Sequence, residues 1–96
     1  MEKYKRTDNF VTRKIIDKCY LFPTGEEKQN FQGAIFLDEI SLMVWELLKE
    51  EKTISELSEI VAVEYAVDYQ TAKEDITELL KQYIDFHIVF IVDNKV

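Results

Sequence analysis

Three consecutive segments between residues 38 and 83 begin with a helix-capping residue and continue with apolar residues at helical spacing. Asp38 precedes the first, the capping box TISE at residues 53–56 opens the second, and Asp68 precedes the third. The third carries a stripe at i, i+4, i+7, i+8 and i+11, namely Ala72, Ile76, Leu79, Leu80 and Tyr83. Because the connections are only a few residues long, we expect three closely packed helices.

The first of these helices is apolar on more than one side. Four of its residues follow one helical face, and three more widen that surface: Ile40, Val44, Leu47 and Leu48, then Leu42, Met43 and Trp45. A helix this apolar is covered by protein on several sides. We therefore expect it to be the central helix of the domain.

The N-terminal third is rich in β-branched and aromatic residues. Residues 10–16, FVTRKII, and 18–22, KCYLF, predict two strands with a tight turn at Asp17-Lys18. Pro23 and Gly25 end the second strand, and residues 26–32, EEKQNFQ, are interpreted as a polar loop.

A third strand is predicted directly before the first helix. It begins at Gly33 and comprises Gly33, Ala34, Ile35, Phe36 and Leu37. The tail FHIVFIV, residues 86–92, predicts a further strand. An apolar strand left unpaired promotes aggregation, so we expect this tail to be paired, most plausibly with a strand of the first hairpin. The alternatives are pairing with a second copy of the protein, or a position over a ligand groove where it competes with the ligand.

The order of elements predicts an α+β domain of winged-helix type, with three N-terminal β-strands, three α-helices and an extra C-terminal strand. At 96 residues the chain is one domain. We place its core at about residues 10–84 and a C-terminal extension at 85–96.

Charge and composition disfavour several classes of function. The net charge of −7 argues against binding a phosphate backbone, and the third helix, residues 68–85, holds five acids and two lysines. One cysteine and one histidine make neither a disulfide nor a zinc site, and the two glycines make no phosphate loop. We expect no catalysis, no cofactor and no membrane or nucleic-acid partner. The charged N-terminus and the lack of a long apolar run predict a cytoplasmic protein.

Several of these features, in this order, resemble the PqqD family, also called the RiPP recognition element. The resemblance covers roughly residues 10–84. It consists of GAIFLDE leading into the first helix, WELL at 45–48, TISEL at 53–57, Tyr65 followed by Val67-Asp68, and TAKEDITELL at 71–80. The ending differs: the family usually finishes soon after the third helix, whereas here residues 85–96, DFHIVFIVDNKV, follow.

The resemblance implies a non-catalytic adaptor. Such domains bind the leader segment of a ribosomally made precursor peptide and deliver it to a radical SAM enzyme, a cyclodehydratase or a leader peptidase. The leader adds as an antiparallel strand beside the third strand and lies against the third helix. The expected contacts are Gly33, Ala34, Ile35, Phe36 and Leu37 of the strand, with Ala72, Asp75, Ile76, Leu79 and Tyr83 of the helix.

Two alternatives remain open from the residues. One is a winged-helix DNA-binding regulator, which a salt-dependent mobility shift would reveal. The other is a small structural module that forms homodimers through its tail strand, which native mass would reveal. The apolar stripe of the third helix also has two readings, because its residues can belong to the core or to a ligand groove.

Overall fold

The computed structural model of the chain describes residues 1–25 and 33–92, and within them it contains two antiparallel sheets and three helices. In chain order the elements are β1 Lys3–Arg6, β2 Phe10–Ile15, β3 Lys18–Pro23, β4 Ile35–Leu37, α1 Glu39–Leu47, β5 Lys52–Thr53, α2 Ile54–Tyr65, α3 Tyr69–Asp85 and β6 Val89–Val92. The predicted α+β class is confirmed. The loop predicted at residues 26–32 lies outside the described residues, and the likeness to winged-helix domains stays a prediction.

The three predicted helix starts are confirmed by their capping hydrogen bonds. The carboxylate of Asp38 accepts from the backbone N–H of Ser41 at 2.8 Å. Thr53 and Glu56 form the reciprocal capping box, at 3.1 and 2.9 Å. Asp68 caps α3 through the N–H of Thr71. Each cap satisfies a donor that a helix start otherwise leaves unpaired, so the local sequence determines where each helix begins.

Strands β2, β3 and β4 form one sheet in that order. Its inner face carries Phe10, Leu21 and Leu37 into the core. Side chains alternate along a strand, and directly paired residues share a face. The opposite side, which we call the outer face, therefore consists of Val11, Arg13 and Ile15 of β2, Lys18, Tyr20 and Phe22 of β3, and Phe36 of β4.

The second sheet has the order β5-β1-β6 and contains two strands that the sequence analysis did not predict. The sequence KYKR of β1 has Tyr4 as its one apolar residue, so it lacks the alternation that indicates a strand. Tertiary pairing decides its conformation: β1 pairs with β5 on one side and β6 on the other. Tyr4 is buried in the core.

The tail forms a paired strand, as predicted, but the predicted partner is wrong. β6 pairs with β1 and not with a strand of the first hairpin, with Tyr4 opposite Ile91 and Arg6 opposite Val89. Because β1 was not recognised as a strand, the hairpin was the most plausible partner within the chain.

The connection between α3 and β6 contains no glycine. His87, with φ of 60°, takes the left-handed position at the helix end that glycine usually occupies. The N–H of Ile88 donates to the carbonyl of Tyr83 at 2.8 Å, and the N–H of His87 donates to that of Ile84 at 3.0 Å. This is a Schellman motif, which reverses the chain and directs it into β6. The buried side chains of Tyr83 and Ile88 supply the apolar contact that commonly accompanies the motif.

The tail offers a test of this arrangement, because two of its apolar residues differ in burial. Ile88 is completely buried, whereas Phe90 is 45% exposed. We expect Ile88→Ala to lower the free energy of unfolding by about 2–5 kcal/mol, since it leaves a cavity. We expect Phe90→Ala to cost about 1 kcal/mol. Urea denaturation followed by circular dichroism measures both; equal losses would contradict the packing of β6.

The turn between β2 and β3 places a β-branched residue in an unfavourable conformation. Ile16 has φ of 62° and is 93% exposed. The left-handed region costs an L-residue about 1–2 kcal/mol, and glycine avoids that cost. We expect Ile16→Gly to raise the free energy of unfolding by about 1 kcal/mol. Ile15→Gly, one residue earlier in regular strand, is the control and should lower it; thermal unfolding of both variants decides.

Candidate functional site

Strand β4 lies at the edge of its sheet. It pairs with β3 on one side, with Tyr20 opposite Phe36 and Cys19 opposite Leu37. Within residues 1–25 and 33–92, no strand pairs with its other side. Such an edge presents backbone N–H and C=O groups to an incoming chain. The condition on which strand addition depends, an edge position for this strand, is therefore met in the described part of the protein.

The five residues predicted for this strand have different environments. Gly33 precedes the strand with φ of 102°, a conformation that favours glycine, and Ala34 is exposed beside it. Ile35 packs partly against the core, and Leu37 is 3% exposed. Phe36 points the other way and is 54% exposed. Of the three strand residues, Phe36 offers the most side-chain surface to a ligand.

A cleft of about 420 Å³ opens beside the end of β4. It lies between the β2–β3 turn and the start of α1, and its lining combines apolar and charged groups: Lys14, Asp17, Lys18, Cys19, Phe36, Leu37, Asp38, Glu39 and Leu42. No α3 residue lines this cleft. A chain laid along β4 would find an apolar floor there with charges of both signs at the rim.

The predicted α3 residues divide between core and surface. Ala72, Ile76 and Tyr83 are almost completely buried and offer no surface to a ligand in this conformation. Leu79 is half-buried against the core, and Asp75 is exposed. Most of the stripe therefore holds the helix in place. Whether any of these residues contacts a peptide stays a prediction.

Tyr83 connects α3 to the helix that follows β4. Its hydroxyl donates to the carbonyl of Ser41, in the first turn of α1, at 2.9 Å. Burial raises the pKa of the Tyr83 hydroxyl far above its usual value, so the group remains a donor. This bond helps to position α1, and with it the end of β4, which precedes α1 directly.

The outer face is the feature that the sequence analysis missed. The rings of Tyr20 and Phe36 meet edge to face at 5.8 Å between centroids, and Phe22 lies 6.5 Å from Tyr20. The ammonium of Lys18 lies 5.9 Å from the Phe36 centroid, within cation–π range. The alternation of side chains along residues 10–22 places Tyr20 and Phe22 on one face of the sheet. That Phe36 lies beside them follows only from the pairing of β3 with β4.

The described residues contain neither a metal-binding cluster nor a membrane-spanning helix. No group of three or more His, Cys, Asp and Glu side chains there could hold a metal ion. No helix in the same part of the chain is long and apolar enough to cross a membrane.

Leu37 and Phe36 are adjacent in β4 but point to opposite faces, so alanine substitution of each should affect stability differently. Leu37→Ala removes a core side chain and should lower the free energy of unfolding by about 2–5 kcal/mol. Phe36→Ala loses partial burial and one aromatic contact, which together amount to about 1 kcal/mol. Urea titrations of both variants provide the comparison. A Phe36 variant as unstable as the Leu37 variant would show that Phe36 is a core residue.

The comparisons with known proteins give one match. A family model described as "Coenzyme PQQ synthesis protein D (PqqD)" matches residues 24–89, which is more than half of the chain. No curated protein and no solved structure matches the chain significantly.

Proposed function

The chain belongs to the PqqD family, and we propose that it is a non-catalytic adaptor that binds the leader segment of a ribosomally made precursor peptide. Family membership fits an accessory protein in the biosynthesis of pyrroloquinoline quinone or of another ribosomally derived product. The observation that supports leader binding is the edge position of β4. The leader would pair with β4 as an added strand, and a maturation enzyme such as a radical SAM enzyme, a cyclodehydratase or a leader peptidase would then act on it.

Backbone pairing along β4 supplies part of the affinity. The strand is three residues long, so it forms only a few hydrogen bonds with an added chain. Each contributes about 0.5–1.5 kcal/mol net. A dissociation constant of 1 μM corresponds to about 8 kcal/mol. Side-chain contacts must therefore supply much of the affinity and most of the selectivity.

Alternate side chains of an added strand would meet different surroundings. Those on one face would lie on the side of Leu37, and those on the other would lie beside Phe36. The cleft at the end of β4 is open to both, because Phe36 and Leu37 both line it. On α3, Asp75 and Leu79 are the predicted contacts that keep accessible surface. Exposed carboxylates such as Asp75 would favour a basic leader residue by about 0.2–1 kcal/mol each. Charge would thus adjust the affinity, and it would do so less at high salt.

Selective N-methylation of the peptide tests strand addition directly. The probe is the leader of a short precursor peptide identified among the neighbouring genes and shown to bind the protein, made in two forms methylated at opposite sets of alternate residues. In an added strand, one set of N–H groups faces β4 and the other faces away. We expect one form to lose binding by about tenfold or more and the other to stay close to the unmodified peptide, because only one set donates to β4.

Isothermal titration calorimetry measures the three dissociation constants, and amide shifts of the labelled protein locate the contact. The unmodified leader should shift the amides of β4 most. Equal affinity for both methylated forms, or shifts centred on α2 with β4 unchanged, would contradict strand addition at this edge.

A further inference from the structure

The outer face of the β2-β3-β4 sheet has the composition of a protein interface. Three of its apolar side chains, Val11, Ile15 and Phe36, are 40–54% exposed. Tyr20 and Phe22 lie between them, half-buried against their neighbours. Interface cores are enriched in aromatic residues and arginine, and exposed apolar patches of this kind mark interaction sites.

The charge of this face is opposite to that of the protein as a whole. Its two charged members, Arg13 and Lys18, are both cationic, whereas the chain carries a net charge of −7. The nearest acid in sequence, Asp17, lies in the turn and lines the cleft at the end of β4. A basic face is complementary to an acidic partner surface, and two such faces placed against each other would repel.

We propose that the outer face is a second docking surface, which takes an acidic, aromatic-bearing surface of a partner protein. This inference rests on the proposed function for the identity of that partner, which would be the maturation enzyme that receives the leader. The face also adjoins the edge at which the leader would pair, because Phe36 belongs to both. A partner on the outer face would thus lie against one side of an added strand, and adaptor and enzyme would share the leader.

Single-stranded nucleic acid is the competing occupant, since aromatic residues on a sheet with nearby cations can stack bases. The charge balance favours a protein. Affinity for a phosphate backbone grows with the number of cations in contact, and this face has two. A protein surface with acidic side chains and aromatic rings would be complementary to this face with only two cations.

A synthetic probe tests the chemistry without any leader or enzyme. The probe is a fluorescein-labelled random copolymer of glutamate and tyrosine, compared with labelled polyglutamate and labelled oligothymidylate. We expect the copolymer to bind more tightly than both at about 0.15 M salt and to shift amides along β2 and β3. Fluorescence anisotropy gives the dissociation constants.

Matched variants show whether the outer face is responsible. Arg13→Glu with Lys18→Glu should weaken copolymer binding by about tenfold, because it reverses both charges of the face. Lys49→Glu with Lys81→Glu makes the same change in net charge at exposed sites, in the turn after α1 and on α3, and should have little effect. Phe36→Thr should weaken binding severalfold, whereas Phe90→Thr, at a comparably exposed position in another sheet, should not.

Thermal unfolding confirms that each variant is folded, and Lys18→Glu alone replaces the double variant if that one is not. The proposal is overturned if the copolymer does not bind, if polyglutamate binds as tightly, or if both pairs of charge variants behave alike. Tighter binding of oligothymidylate that is lost in the same variants would overturn it in favour of nucleic acid. Because no leader is present, failure here leaves strand addition at β4 standing, and failure of the methylated peptides leaves the outer face standing.

Discussion

The fold depends on the position of β1 between β5 and β6. Through this strand the N-terminus, the connection between α1 and α2, and the C-terminal tail form one sheet. The backbone N–H of Arg6 donates to the carbonyl of Leu48 at 2.8 Å, and its guanidinium lies 3.8 Å from the centroid of the Trp45 ring, in a cation–π contact. These contacts join segments far apart in the chain, and the buried Tyr4, Ile88 and Val89 of this region belong to the core.

The β2-β3-β4 sheet has one face buried against the core and one face exposed. Phe10, Leu21 and Leu37 hold the inner face against the core, so the outer face and the free edge of β4 contribute less to stability. The buried stripe of α3 belongs to the same core, where α3 packs mainly against α2, and Tyr83 links it to α1. A small domain has little stability to spare, so its exposed edge is compatible with folding because the neighbouring strands and helices fill the core.

The helices were predictable because their signals are local. Asp38, Thr53 and Asp68 each bond to a backbone donor three residues on, and this needs no tertiary partner. The tail strand was predictable from its β-branched and aromatic residues. β1 was not, because three of its four residues are charged and only pairing with β5 and β6 makes it a strand. In the candidate site, the apolar strand before α1 was predicted, whereas the outer face and the division of α3 into buried and accessible residues were not.

The amino-acid sequence by itself determined the α+β class, the helix starts and the short apolar strand before α1. These depend on caps, periodicity and turn residues, which act over a few neighbouring positions. The tertiary structure alone decided that Ala72, Ile76 and Tyr83 are buried, that β6 pairs with β1, and that Tyr20 and Phe36 share one exposed face. The physical reason is that burial and strand register are set by contacts between distant segments, and an apolar stripe looks the same in sequence whether it faces the core or a ligand.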